Sequence, residues 1–295
     1  MIRAPFHYIG NKFSRIEQIL ENLPDEKIMS FFDMFGGSGV VGLNVLAAGK
    51  CEHVVYNELR KQIANLFQRC LQNETFDNLR FSEYISSSND WYADTKEAYL
   101  TIRNSYNGLI KLTDRLTQDK ERMVLDCLLY IIISRSFSND IRFNRKGEVN
   151  IPYGDRNYCD VSRIEDLKNV DVDNVSVFSG TYIQLFQILN GGDFVFIDPP
   201  YYSTTATYNN GWSETNEKLL YKNLDYLSSL GIKWMLTNTV ENRGNVNEIL
   251  KKWLDDNKDK LYTKQINGGY GNSSFRKSSK PTVELMVTNY PMKGE

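Results

Sequence analysis

The apolar run Phe194-Val195-Phe196-Ile197 stops at Asp198-Pro199-Pro200-Tyr201, and that stop constrains the fold more than any other stretch of the chain. Four aromatic and β-branched residues without a polar break, preceded by Gly191-Gly192, read as a strand buried on both faces, the kind found in parallel sheets covered by helices. In such sheets ligands and chemistry gather beyond the carboxyl ends of the strands. Proline keeps the residue before it out of the helical region and carries no N–H. Asp198 and Pro199 are therefore expected to be extended, with one carboxylate and one carbonyl facing the cleft. Two fixed acceptors suit a planar amine with two hydrogens, and binding both draws the nitrogen lone pair out of conjugation toward an electrophile. Tyr201 adds a flat face on which a base can stack. A Pro-Pro pair also occurs as a rigid strand exit without chemistry, so the motif counts only in agreement with others.

A second buried-strand pattern, Met29 to Asp33, runs into Met34-Phe35-Gly36-Gly37-Ser38-Gly39 and opens onto a helix from Val40 to Ala48. Glycines let a backbone turn sharply and approach a ligand, and the helix start behind them offers free N–H groups. A third strand, His53 to Tyr56, leads to Glu58, whose carboxylate suits the hydroxyls of a ribose. The spacing Gly37-x-Gly39-x-x-Gly42 with an acid about twenty residues on is also the dinucleotide fingerprint. Alone, this loop does not separate a nicotinamide cofactor from S-adenosylmethionine.

Elsewhere the pattern is an α/β alternation interrupted once. Phe13, Ile16, Ile19, Leu20 and Leu23 form an amphipathic stripe that ends before Pro24. Strand, glycine turn, helix, strand and helix follow to about Gln72. From Asn73 to Asn174 the alternation gives way to polar loops, a Tyr- and Asn-rich segment around Tyr99 to Asn107, and a long apolar helix from about Lys120 to Phe137. It then resumes, with strands at Ser176 to Phe178, into Asp198, at Ile232 to Asn238, Leu261 to Ile266 and Val283 to Thr288, and helices at Leu219 to Leu230 and Val246 to Leu254. The expected domains are thus a catalytic unit of residues 1–72 and 175–295 and an inserted, mainly helical target-facing region of 73–174.

Met1 to Gly10 holds no apolar signal core, and the longest apolar stretch, Met123 to Ile133, contains Asp126 and is too short to span a bilayer. A cytoplasmic protein with no membrane partner is expected. Cys51, Cys70, Cys127 and Cys159 lie far apart, with only His7 and His53 to join them, so packing in a reducing compartment and no metal site are expected. A net charge of −2 and a pI near 5.9 give no overall attraction to phosphate. A nucleic-acid substrate then requires clustered basic residues. Arg135, Arg142, Arg145, Lys146 and Arg156 form one cluster; Lys264, Arg276, Lys277 and Lys280 form another, which reads equally as a solvated face.

The order Tyr8-Ile9-Gly10-Asn11-Lys12, Asp33-Met34-Phe35-Gly36-Gly37-Ser38-Gly39 and Asp198-Pro199-Pro200-Tyr201 resembles the Dam-type, alpha-group DNA adenine-N6 methyltransferases. Ser136 to Gly154 resembles that family's target-recognition signature, and Ser274 to Met286 its last loop and strand. The resemblance implies a doubly wound, Rossmann-like S-adenosylmethionine-dependent methyltransferase sheet with an inserted target-recognition region. It implies a cofactor site of Tyr8, Lys12, Asp33, Phe35, Gly36, Gly37, Gly39, Glu58 and Asp198, and catalysis by Asp198, Pro199, Pro200 and Tyr201 on an adenine flipped out of double-stranded DNA. Phe137 falls where the family places an aromatic beside the vacated space, though a helix-end phenylalanine is as often buried. Arg142 is the candidate for bidentate reading of a guanine. Asn144, Arg145, Lys146, Arg276 and Lys277 complete the expected DNA surface, with Asn144, Asn150, Pro152 and Gly154 also shaping the loop. A cognate restriction endonuclease is an implied partner.

Two departures bear on base reading: Ser138-Asn139-Asp140-Ile141 replaces an Asn-Gly-Leu sequence, and His7 replaces a DNA-contacting lysine. The expectation is an adenine within a short site and not a particular sequence. Other readings are an RNA or protein-amine methyltransferase, a non-catalytic DNA-binding protein of this fold, and a nicotinamide oxidoreductase.

Overall fold

The computed structural model describes residues 1–71, 95–112, 119–154, 162–203, 211–266 and 282–294. Its centre is a sheet of eight strands: β1 (Ile28–Asp33), β2 (Cys51–Glu58), β3 (Val175–Ser179), β4 (Phe194–Ile197), β5 (Lys233–Asn242), β6 (Asn245–Val246), β7 (Tyr262–Gln265) and β8 (Thr282–Thr288). The spatial order is β3-β2-β1-β4-β5-β8-β7, with β6 paired to β5. Strands β3, β2, β1, β4 and β5 run parallel, and β8 lies antiparallel between β5 and β7. The order reverses between β1 and β4, so the crevice of this doubly wound sheet opens beyond Asp33 and Ile197.

Both faces of the sheet are covered, and the strands divide their side chains with period two. Phe31, Val54, Tyr56, Phe194, Phe196, Met235 and Met286 enter one core; Phe32, Val55, Val195, Ile197, Trp234, Leu236 and Val287 enter the other. The first core is closed by helices α1 (Ile16–Glu21), α2 (Val40–Ala47), α3 (Lys61–Leu71), α4 (Lys96–Ile110) and α5 (Asp119–Arg135). A four-residue helix α6 (Ser162–Glu165) follows, and the second core is closed by α7 (Glu214–Ser229) and α8 (Glu248–Asp256). The result is a three-layer α/β architecture. Among the described residues no helix is long and apolar enough to cross a membrane.

The stretch from Cys127 to Ile133 in α5 is buried without interruption, so this part of the helix is apolar all round. The acid within it, Asp126, is paired at 3.2 Å with Arg69 of α3. Cys51, Cys70 and Cys127 are buried, and burial pushes Cys51 up to about 12; Cys159 lies outside the described residues.

The Tyr- and Asn-rich segment is a helix, α4, capped by Thr95, whose Oγ1 accepts from Ala98 N at 3.2 Å. Its residues Tyr99, Arg103 and Asn107 recur every fourth position and share one stripe. Tyr99 and Arg103 donate to the Ile151 carbonyl, each at 2.9 Å, and Asn107 exchanges two bonds with the Val149 backbone at 2.9 and 2.7 Å. Its buried apolar positions, Tyr99, Ile102 and Tyr106, are mostly tyrosines set among polar residues, so the sequence pattern announces this helix only weakly. The other helices differ from expectation mainly at their starts: the first begins as a 3-10 turn, Phe13–Arg15, and α7 begins at Glu214 behind a capping box of Ser213 and Asn216.

Candidate active site

A cleft of about 400 Å³ opens at the switch point, lined from β1 by Asp33 and its following turn, from β2 by Glu58, and from β4 by Asp198 to Tyr201. The N-terminal segment Tyr8 to Lys12 forms another wall.

The glycine turn is held from beneath. Gly36 N donates to Asn57 O at 2.7 Å, and Tyr56 donates its hydroxyl hydrogen to Gly37 O at 2.7 Å. Tyr56 in turn stacks on Phe67 of α3, ring centroids 4.0 Å apart. Gly39 caps α2 with φ +71°, and a Cβ there would stand 2.2 Å from the Phe67 ring, so only glycine fits. Asn57 ties three strand ends together by donating to Met34 O at 3.0 Å and Gly180 O at 3.1 Å.

Asp33 is buried at the end of β1 and accepts the backbone N–H of Gly42 in α2. Burial, with the charge of Asp198 as the next cause, raises its carboxyl to about 7. Glu58 is likewise raised by burial, offset by backbone N–H groups including that of Arg60 at 2.9 Å. Phe35 packs against Tyr182 at 4.9 Å and edge-on against Trp212 at 5.7 Å. Tyr8 borders Gly37.

Asp198 lies beyond β4 where the parallel register, ending at Ile197 beside Leu236, brings it next to Thr237. Its Oδ1 accepts from Thr237 Oγ1 at 2.8 Å, and its Oδ2 pairs with Lys12 Nζ at 2.6 Å. The buried Tyr201 hydroxyl lies 3.0 Å from Asp198 Oδ1 and 2.6 Å from Glu284 Oε1. Lys12 Nζ sits 5.1 Å over the Tyr201 ring, so one face of that ring is covered by the ammonium. Glu284 lies 3.7 Å from Lys12 and 3.6 Å from Arg15. Burial raises the Asp198 carboxyl, against the pull of Lys12. Thr237 carries no motif of its own, Glu284 falls inside the Ser274 to Met286 block, and both join the site through the pairing of β5 with β4 and β8.

Of the residues expected to face the target, Arg142, Asn144, Arg145 and Lys146 lie on a hairpin bridged at Phe143 and Val149. Asn144 shapes its turn, its Oδ1 accepting from Lys146 N at 2.9 Å and Glu148 N at 3.0 Å. Arg142 is held by Asn150, Nε to Oδ1 and Nη2 to the carbonyl oxygen, each at 2.8 Å. Arg145 and Lys146 are exposed. Phe137 is 58% exposed. Phe137 N donates to Pro152 O at 3.0 Å, and Gly154 passes so close that a Cβ would meet the Phe137 backbone at 2.4 Å. The hairpin is joined to the cleft by Arg60, which lines it and donates to Ile141 O at 3.5 Å. His7 is half-buried just before the N-terminal wall segment, and Arg276, Lys277 and Lys280 lie outside the described residues, as does Arg156.

Behind Trp212 lies a buried carboxylate that sequence reasoning missed. Glu217, fully buried, accepts from Trp212 Nε1 at 2.5 Å, the Tyr221 hydroxyl at 2.5 Å, Asn247 Nδ2 at 2.8 Å and Asn238 Nδ2 at 3.1 Å. The signal was the capping box just before it, which places Glu217 in the first turn of α7.

Residues 8–267 match the family described as D12 class N6 adenine-specific DNA methyltransferase. The chain is 30% identical to Modification methylase StsI of Streptococcus sanguinis, over 99% of this chain and 43% of that protein. It is 30% identical to Type II methyltransferase M.FokI of Planomicrobium okeanokoites, over 98% and 43%. The chain thus spans less than half the length of these relatives. Among solved structures it aligns with the rRNA methyltransferase aviRa of Streptomyces viridochromogenes at a TM-score of 0.37 and 11% identity, over 92% of this chain and 81% of that one; the fold assignment rests on the strand order itself.

Proposed function

The chain belongs to the D12 class N6 adenine-specific DNA methyltransferase family, and from that premise we propose that it transfers a methyl group from S-adenosyl-L-methionine to the N6 amine of an adenine flipped out of double-stranded DNA. The observation that carries this reading is the meeting of Asp33 and Asp198 in one cleft at the switch point, with the glycine turn on one side and the Asp-Pro-Pro-Tyr segment on the other.

The residues present fit the cofactor. Asp33 offers a negative charge for a cationic sulfonium, Glu58 an acceptor for ribose hydroxyls, and Phe35, Tyr182 and Trp212 an aromatic wall. When bound, S-adenosyl-L-methionine supplies an electrophilic methyl group. Lys12 and Tyr8 close the cleft from the N-terminal side, and Asp198 accepts a hydrogen bond from the target amine, orienting its lone pair. Exchange of Lys12 for the amine at Asp198 Oδ2 frees that acceptor. The flipped base lies against Tyr201 on the face that Lys12 leaves.

On the DNA side, Phe137 fills the space the adenine vacates. Arg142, preset by Asn150, reads a base edge with its remaining N–H groups. Asn144, Arg145, Lys146, His7, Arg276 and Lys277 complete the backbone contacts, so residues 73–174 with the last loop serve as the target-facing region. A restriction endonuclease acting at the same site is the fitting partner, as suggested by relatives that are modification methylases. Incubation with labelled S-adenosyl-L-methionine and mixed-sequence duplex DNA, with RNA and protein acceptors as competitors, is expected to yield N6-methyladenine in DNA alone. Transfer to no duplex, or preferential transfer to RNA or protein, would overturn the reading.

The raised Asp33 carboxyl predicts a pH signature. Unfolded, this group titrates at its ordinary 3.8; folded, at about 7. Between those values the folded protein holds the extra proton, so the Asp33 contribution makes stability fall as pH rises toward 7 and level off above it. A bound cation favours the ionised form. Affinity for S-adenosyl-L-methionine is therefore expected to rise from pH ~6 to pH ~8, while affinity for the uncharged thioether product stays flat. Titration calorimetry of wild type and Asp33→Asn checks this; equal slopes for both ligands would remove Asp33 from the sulfonium site.

A further inference from the structure

Tyr201 has one hydroxyl hydrogen and two carboxylates within reach. Glu284 Oε1 at 2.6 Å makes the shorter contact and Asp198 Oδ1 at 3.0 Å the longer. When the hydrogen lies toward Glu284, the phenolic oxygen turns a lone pair toward Asp198 Oδ1. That pair is repulsive while Oδ1 is bare and becomes a hydrogen bond once Oδ1 carries a proton. Among the described residues, the charged and titratable groups facing this cluster are Lys12 and Arg15 from the N-terminal segment, Asp33 from β1, Tyr201 from the loop after β4, and Glu284 from β8. Thr237 of β5 adds a hydroxyl to the same Oδ1.

We propose that Glu284 is a positioning residue that, by holding the Tyr201 hydrogen, makes Asp198 the acceptor of the proton the target amine sheds. The inference rests on the adenine-N6 reading above. The amine nitrogen uses its lone pair to form the new N–C bond while the C–S bond breaks and its electrons remain on sulfur. The nitrogen is then cationic with two hydrogens; one N–H pair returns to nitrogen and the proton passes to Asp198. The carboxyl then turns about its Cβ–Cγ bond so that the protonated oxygen faces Tyr201 and donates to the phenolic oxygen, whose own hydrogen stays directed at Glu284, so no group is left without a partner. Lys12 and Arg15 balance the two carboxylates beforehand, and Glu284 keeps a negative charge beside both cations afterwards. Burial and the Glu284 charge both raise the proton affinity of Asp198, with Lys12 opposing them.

Glu284→Gln keeps the length and an acceptor oxygen but removes the charge. In ligand-free protein carrying ¹³C-labelled aspartate carboxyls, the Asp198 resonance is the one absent from Asp198→Asn. Its titration midpoint is expected to move to lower pH by about one pH unit in Glu284→Gln. The acid limb of single-turnover methyl transfer is expected to move with it, while Glu284→Asp, which retains the charge, restores the wild-type position. Tyr201→Phe removes the opposing lone pair and provides the same readout should Glu284→Gln not fold; its Asp198 midpoint is expected to fall as well. A slower variant whose midpoint and acid limb both stay in place would assign Glu284 a merely structural role and overturn the proposal. A wild-type protein that methylates no DNA would instead remove the adenine-N6 reading, an outcome the carboxyl titration distinguishes.

Discussion

Asp198→Asn is expected to slow single-turnover methyl transfer by about 10³, the loss typical of removing one preorganised electrostatic partner of a transition state. That factor corresponds to about 4 kcal/mol. Asparagine keeps the shape and one oxygen, but it brings an amide donor to a place already supplied with donors. The Lys12 ammonium and the Thr237 hydroxyl both converge on the native carboxylate. An amide nitrogen turned toward either repels it, and the oxygen that remains carries no charge to stabilise a nitrogen turning cationic. Binding of S-adenosyl-L-methionine should survive within a fewfold, since Asp33 and Glu58 remain. Rapid-quench measurement of methyl transfer, alongside cofactor affinity and circular dichroism, separates the terms. A loss below tenfold in a folded, cofactor-binding variant would move the chemistry away from this residue.

Glu217→Ala is expected to cost about 4 kcal/mol of stability, because it strands several buried donors together. Trp212 Nε1, Asn238 Nδ2 and Asn247 Nδ2 have hydrogens to give, and all are directed at this carboxylate. Tyr221 joins them, its own hydroxyl pushed far above its ordinary range by burial and the adjacent charge. Removing the acceptor leaves a cavity and unsatisfied polar groups in one place. The effect should reach the cleft through Trp212, which loses its anchor while still packing on Phe35. Urea unfolding gives the stability change, and weaker cofactor binding is the expected companion. A stability loss under 1 kcal/mol would mean that the donors find other acceptors.

The sheet was legible in the chain because its parallel strands are dense apolar runs closed by glycine, acid or proline. Phe194 to Ile197 and Met29 to Asp33 could be little else, and their acidic ends placed the cleft. What escaped was long-range or polar. Thr237 and Glu284 reach Asp198 and Tyr201 from 39 and 83 residues away, through register that no local spacing encodes. The start of α7 was read at Leu219, where its apolar stripe begins; Ser213 and Asn216 had already capped it. Asn144 and Asn150 were legible as loop builders, and their bonds to the Lys146, Glu148 and Arg142 groups have that character. Tyr201, expected as an open platform, is a buried hydroxyl bridge with one face under Lys12. An aromatic side chain after Pro-Pro does not disclose which of its surfaces the fold will occupy.

The stripe of Tyr99, Arg103 and Asn107 grips the main chain at Val149 and Ile151 and none of the side chains between Arg142 and Lys146. A clasp of this kind is indifferent to the letters written on the ribbon it holds. The side chains proposed to meet DNA are therefore free to change from one lineage to the next while the scaffold beneath them stays put, and a shift in preferred sequence need not disturb the machinery at the sheet.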